Sequence, residues 1–274
     1  MKNIFLSLLL SISLLAGYNK TEENEVTKKI NLQFYANLKE NNQLFKKNVQ
    51  ETQQKFINLT KNLNTFYEYV SPLTQNASLI SGVSFLIPGF ESLNSAIKFI
   101  AATDKKIQAY TNATKNSKTN IIDQKIKTFL INQDLNSIDE IRNELDLYRI
   151  ELAELSNDLK KVEEIANSIQ KFSIQATQYT NQISNTATKY GNQLMDAVNS
   201  TEYGKKLLAY FSNNDTKTKN DNNPQKPIVE SIFELEKEIK ENSNLILQNM
   251  KLADNLSSSL ATIKNFSKID FTGF

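Results

Sequence analysis

The residue types that carry most protein chemistry are missing from this chain. Its 274 residues include no Cys and no His, so a thiolate nucleophile, an imidazole base and a Cys/His zinc site are all excluded. Aspartate and glutamate are plentiful, but they fall at the outward positions of helical repeats, which is typical of solvated helix faces. The chain also lacks the D-x-[DN]-x-[DN]-G calcium loop and the GxGxxG, GxxxxGK[ST] and GxSxG motifs. We therefore predict a protein that is not an enzyme and has no cofactor, metal site or catalytic residue.

The N-terminus is the one segment whose spacing points to a specific reaction. A positive residue followed by the apolar run Ile4–Leu15 is typical of a bacterial export signal, and it predicts a signal peptide that ends at Gly17. Leu15, Ala16 and Gly17 match the residues that lipoprotein signal peptidase reads before the cysteine that receives diacylglycerol. That next position holds Tyr18. Two interpretations stay open: a lipobox that has lost its thiol, and a plain secreted protein.

Charge and hydropathy narrow the set of partners. The formal charge is +2, from 32 basic and 30 acidic residues, and the only arginines are Arg142 and Arg149. Because phosphate and base recognition rely heavily on guanidinium groups, we predict no nucleic-acid partner. Beyond the signal, no apolar run reaches the roughly 18 residues that a membrane-spanning helix needs. The mature chain is therefore predicted not to be an integral helical membrane protein.

The first half of the mature chain shows helical periodicity. After a polar tether over residues 18–25, apolar residues recur over most of the run from Val26 to Val70 at steps of three and four, which places them on one stripe of a long helix. Pro72 is expected to end this helix, because the residue before a proline is biased away from helical backbone. A shorter helix is expected after a polar link, with Thr119 as its N-cap.

The second half carries the most regular pattern. From Ile138 to Val162 the apolar steps alternate strictly between three and four, which is a heptad repeat. A last heptad helix follows the polar loop 212–227, with Asn242 and Asn249 at seam positions. One-sided helices must pack on one another. The sequence thus predicts an all-α protein: an elongated antiparallel helical bundle with long coiled-coil-like helices, forming a single domain over 26–274.

An uncharged segment between the first two apolar stripes allows two interpretations. It is either a buried connector that caps the end of a bundle, or part of a membrane-inserting element over residues 79–102, as in helical pore-forming toxins. We expect a bundle cap, because Gly82 and Pro88 divide the segment into pieces too short to cross a bilayer as a helix. The apolar side chains concerned are Leu79, Ile80, Val83, Phe85, Leu86 and Ile87.

The signal MKNIFLSLLLSISLLAG, the tether Asn-Lys-Thr-Glu-Glu-Asn and the Cys-free, Lys/Asn/Ile-rich helical body resemble the helical outer-surface lipoproteins of Borrelia-type spirochaetes. The resemblance implies an outward-facing helical domain at the bacterial outer membrane, anchored by its N-terminus if acylated, which binds host or other proteins. Tyr18 departs from the family, since it stands where the acylated cysteine belongs. The alternatives are a pore-forming toxin component that uses residues 79–102, and a secreted or periplasmic coiled-coil scaffold that binds only other chains or forms an oligomer.

Overall fold

The structure confirms the all-α fold. A computed structural model describes residues 20–76, 87–112, 117–190 and 225–267, and these residues form five helices and no strand. The helices are α1 (Lys20–Asn76), α2 (Leu93–Thr111), α3 (Lys118–Asn132), α4 (Ser137–Tyr190) and α5 (Gln225–Phe266).

Contacts within the chain divide it into two compact units. Unit 1 draws on Met1–Val49, Thr114–Ile150 and Gln248–Phe274, and unit 2 on Gln50–Ala113 and Glu151–Leu247. Helices α1, α4 and α5 contribute to both units, whereas α3 belongs to unit 1 and α2 to unit 2. Among the described residues, each unit therefore contains four helical segments. That residues 26–274 form a single elongated domain stays a prediction.

Unit 1 pairs its helices in antiparallel fashion. The rings of Phe34 on α1 and Phe266 on α5 meet edge to face, with centroids 5.2 Å apart. Further along α1, the Asn41 side-chain amide donates a hydrogen bond of 3.2 Å to Ser259, which lies earlier on α5. Since the α5 number falls as the α1 number rises, the two helices run in opposite directions.

Unit 2 contains α2 instead of α3, and its helices also pack antiparallel. Tyr110 on α2 packs edge to face against Phe56 on α1, with ring centroids 5.1 Å apart. Lys106 on α2 pairs with Asp158 on α4 at 2.5 Å, while Lys161, later on α4, lies over the ring of Phe99, earlier on α2. These two contacts make α2 and α4 antiparallel.

The predicted seams form the cores of both units. Every seam residue from Ile138 to Val162 is at most 5% exposed, which confirms the heptad pattern. Asn242 and Asn249 are fully buried on α5, so their predicted seam positions are confirmed as well. The buried α4 seam comprises Ile138, Ile141, Leu145, Tyr148, Leu152, Leu155, Leu159 and Val162.

Both ends of α1 differ from the sequence prediction. The helix begins at Lys20, inside the segment 18–25 assigned to a polar tether. Residues 20–25 contain no Pro or Gly, so their sequence permits the helix to start there. The helix also continues through Pro72 to Asn76, so the expected end at Pro72 is wrong. Pro72 removes one backbone donor near the end of the helix, and Glu68, whose carbonyl loses that donor, is solvent-exposed.

Two other helix starts are also corrected. The N-cap of α3 is Ser117 rather than Thr119, and its side chain makes no capping hydrogen bond. Helix α5 begins at Gln225, so residues 225–227 of the predicted polar loop are helical. Pro227 is tolerated there, because a backbone N–H in the first turn has no partner within the helix.

Candidate functional site: a basic surface on helices α1 and α3

Charge is unevenly distributed among the helices of unit 1. Between Lys28 and Val49, α1 carries five lysines against one glutamate, and α3 carries three lysines against one aspartate. By contrast, the part of α4 from Ser137 to Ile150 carries four acidic residues against two arginines. Positive charge is therefore concentrated on α1 and α3. We define the basic surface as Lys28, Leu32, Lys39 and Lys46 of α1 with Lys127 and Ile131 of α3.

The α1 members of this surface share one side of the helix, the side that faces α3. Their spacing of four and seven residues is that of a helical stripe, and Tyr35 and Asn42 belong to the same stripe. Tyr35 stacks on Phe129 of α3, with ring centroids 5.8 Å apart and planes 23° apart. Burial raises the pKa of Tyr35 above its ordinary value. These contacts fix the register between α1 and α3.

A carboxylate at the base of the surface joins the two helices. Asp123 on α3 is only 8% exposed, and its Oδ1 accepts a buried hydrogen bond of 2.9 Å from the side-chain amide of Asn42. Its Oδ2 accepts from Lys127 Nζ at 2.7 Å and lies 3.9 Å from Lys46 Nζ. A buried carboxylate is costly unless positive charge lies nearby. Here two lysines supply that positive charge for Asp123.

Two large aliphatic side chains lie exposed beside these lysines. Leu32 is 62% exposed and Ile131 is 80% exposed. The Tyr35–Phe129 stack and the antiparallel register place them at nearly the same level of the two helices. Lys28 and Lys39 flank Leu32 on α1 and are themselves exposed. The surface therefore combines exposed apolar groups with positive charge.

Away from the basic surface, charged side chains of α3 and α4 bind neighbouring helices of unit 1. Lys125 donates to Glu140 at 2.8 Å and to Glu144 at 2.9 Å, and these hydrogen bonds are the main reason that its pKa is raised. Both arginines of the chain contact α5: Arg142 donates to Ser257, and Arg149 lies 2.8 Å from Asp254. The guanidinium groups are therefore engaged between helices rather than on the basic surface.

In unit 2, two described carboxyl groups have a pKa that is raised by burial. One is Asp104 on α2, where a hydrogen bond from Gln108 opposes that effect. Burial likewise raises the pKa of Glu236 on α5, and the charge of Glu163 on α4 adds to it. Across the described part of the chain, no group of three or more His, Cys, Asp or Glu side chains is placed to hold a metal ion.

Most residues singled out from the sequence lie outside the described residues. These are Leu15, Ala16, Gly17 and Tyr18 at the N-terminus, and Leu79, Ile80, Val83, Phe85 and Leu86 of the uncharged segment.

Ile87 is the described member of the uncharged segment, and it is only 5% exposed. Its carbonyl accepts from the Phe90 N–H across a turn in which Gly89 has φ of +80°. Beyond this turn, Leu93, Ile97 and Ile100 are buried along α2. None of the helices that the structure describes is long and apolar enough to cross a membrane.

No protein-family model matches the chain, and no curated protein or solved structure is significantly similar to it. The basic surface itself was not anticipated from the sequence, because a net charge of +2 conceals the contrast between helices. Counting charges helix by helix would have shown it, since Lys28, Lys39 and Lys46 fall on one stripe of α1.

Proposed function

We propose that the chain is an exported, non-catalytic helical protein of the bacterial cell surface that binds protein partners there, and that its N-terminus anchors it where residue 18 carries a lipid. The proposal rests on the position of the signal-like N-terminal run relative to the fold. The lipobox-like run ends at Gly17, and α1 begins at Lys20. In a relative with Cys at position 18, the acyl chain would therefore be attached almost directly to the first helix.

The outer faces of the helices support a binding role. On α5 in unit 2, Phe233 is 66% exposed and Leu247 is 57% exposed. They are two heptads apart, so they lie on the same side of the helix. Exposed large apolar groups that recur on one face are typical of protein-binding surfaces. Neither residue lies on the basic surface, and together they are the protein-binding candidates.

The anchor is tested by placing a cysteine at either of two neighbouring positions. In a bacterial host with lipoprotein-processing enzymes, Tyr18→Cys should incorporate labelled palmitate and partition into the detergent phase, because it restores the acylated residue. The parent chain should lose residues 1–17 and stay in the aqueous phase. Intact mass of the mature N-terminus reports both events.

Asn19→Cys is the matched control, since it supplies the same thiol one residue too late for the peptidase. It should remain unacylated. If Tyr18→Cys stays aqueous, or if both variants are acylated equally, then Leu15-Ala16-Gly17 does not act as a lipobox and surface anchoring fails as a proposal.

A further inference from the structure

The two most exposed large apolar side chains among the described residues of unit 1, Leu32 and Ile131, lie at one end of that unit, whereas Leu44, Leu147 and Ile150 lie elsewhere in it. Leu32 lies near the start of α1, and Ile131 lies in the last turn of α3. The Phe34–Phe266 contact places the last turn of α5 at the same end. This is the end of unit 1 that continues into the chain's N-terminus, where the proposed anchor is attached.

We propose that the basic surface of unit 1 docks sideways on an anionic lipid surface, with Leu32 and Ile131 entering the headgroup region and the lysines of the basic surface contacting lipid phosphates. This inference rests on the proposed location at the cell surface, because an N-terminus anchored there would bring α1 against the bilayer. It goes further by assigning the residues that face the membrane.

The charges fit an anionic surface. Lys28, Lys29 and Lys39 are exposed on α1, and Lys46 and Lys127 compensate the buried Asp123 while keeping about half of their side chains in solvent. Lysines near an anionic bilayer each add to the attraction, which decays within a Debye length.

Exposed acidic groups near the basic surface oppose the attraction. Glu40 on α1 and Asp134, which follows α3, are both exposed. Asp139 on α4 is paired with Lys264, so its charge is compensated within the unit. The lysines of α1 and α3 outnumber these groups.

The apolar groups favour lipid over another anionic partner. Amphipathic surfaces bind bilayers through buried apolar area together with charge attraction, and an acidic peptide or a polyphosphate would leave Leu32 and Ile131 in water. Lysine also suits a fluid layer of phosphates, whereas fixed phosphate geometry favours the arginine fork.

The experiment uses the exported form, residues 18–274, without any acyl chain. Removing residues 1–17 deletes no described residue and prevents the apolar signal from binding lipid by itself. Co-sedimentation is measured with vesicles of phosphatidylcholine alone and of phosphatidylcholine mixed with phosphatidylglycerol. We expect binding only to the anionic vesicles, and weaker binding at high salt.

Two pairs of variants locate the contact. Leu32→Ser/Ile131→Ser should reduce the partition coefficient at least about tenfold, whereas Leu147→Ser/Ile150→Ser should leave it unchanged. The control residues lie on α4 in the same unit and are 49% and 56% exposed. Circular dichroism checks that all variants are folded.

Lys28→Glu/Lys39→Glu should reduce the partition coefficient at least about tenfold as well. Lys98→Glu/Lys105→Glu, which reverses two exposed charges on α2 in unit 2, is the matched control and should bind like the parent.

The outcomes are distinct from those of the anchoring test, because no lipid is attached to the protein. Absence of binding, equal binding to neutral vesicles, or equal losses in the control pairs would overturn the inference while leaving acylation at residue 18 untouched. Binding to soluble poly-glutamate that does not depend on Leu32 and Ile131 would assign the surface to an acidic polypeptide instead. Release of a trapped dye would mean insertion rather than docking, and would also overturn it.

Discussion

Two leucines on α4 provide an internal test of the seam. Leu145 is fully buried in unit 1, whereas Leu147 is 49% exposed. Both residues belong to the same helix and the same unit, and both lose the same atoms on replacement by alanine. Any difference between Leu145→Ala and Leu147→Ala therefore reports burial, because the change in helix propensity is common to both.

The expected magnitudes follow from the exposures. Leu145→Ala loses the whole transfer free energy of the side chain and leaves a cavity among packed helices, so it should lower the free energy of unfolding by roughly 2–5 kcal/mol. Leu147→Ala removes a side chain that already contacts water over half of its surface and leaves no closed cavity. It should cost about 1 kcal/mol or less.

Urea unfolding followed by far-ultraviolet circular dichroism measures both values. The slope of the unfolding free energy with urea should stay constant, so that a shift in midpoint reports stability. If both substitutions cost the same, or if Leu145→Ala costs nothing, the α4 seam is not the core of unit 1.

Three more substitutions test polar groups. Asp123→Ala should lower the free energy of unfolding by about 1–3 kcal/mol in urea, because a buried amide loses its acceptor. Glu236→Gln should raise the melting temperature at neutral pH and less so at acidic pH, since its folded-state pKa lies above the unfolded value and the ionised form is penalised only at higher pH. Glu234→Gln, on the exposed side of α5, should not show this difference. Asn242→Leu should raise the melting temperature, because the buried Oδ1 of Asn242 has no hydrogen-bond partner among the residues that the structure describes; a lower value would mean that the amide stabilises the seam.

The fold class and the seams could be predicted because burial imposes a period on the sequence. The apolar residues of the α4 seam face the interior of the bundle. Residues on one face of a helix are three or four positions apart, so their spacing in the sequence predicts this burial. The same reasoning placed Asn242 and Asn249 on the seam, although neither is apolar.

Helix ends were predicted less well because they depend on local competition. Pro72 costs one hydrogen bond, yet α1 continues for another turn, so its neighbours outweigh that loss. Ser117 and Thr119 both carry a hydroxyl group that could cap α3, and the sequence pattern does not distinguish them. The structure has Ser117 as the N-cap.

The basic surface depends on which helices lie side by side. Lys46 on α1 and Lys127 on α3 are far apart in sequence, and only the register set by Asn42 and Asp123 brings them to one carboxylate. Periodicity within a single helix carries no information about such pairing. Predicting it would have required knowing the helix order in advance.

Unit 1 joins segments that lie far apart in the sequence, and the ribosome makes these segments at different times. The rings of Phe34 and Phe266 touch, so α1 gains this partner only after α5 has been synthesised. In the interval, the apolar side chains of α1 that face α5 in the folded unit lack that partner. Apolar surface exposed in this way during synthesis favours aggregation, so unit 1 depends on protection until α5 is complete.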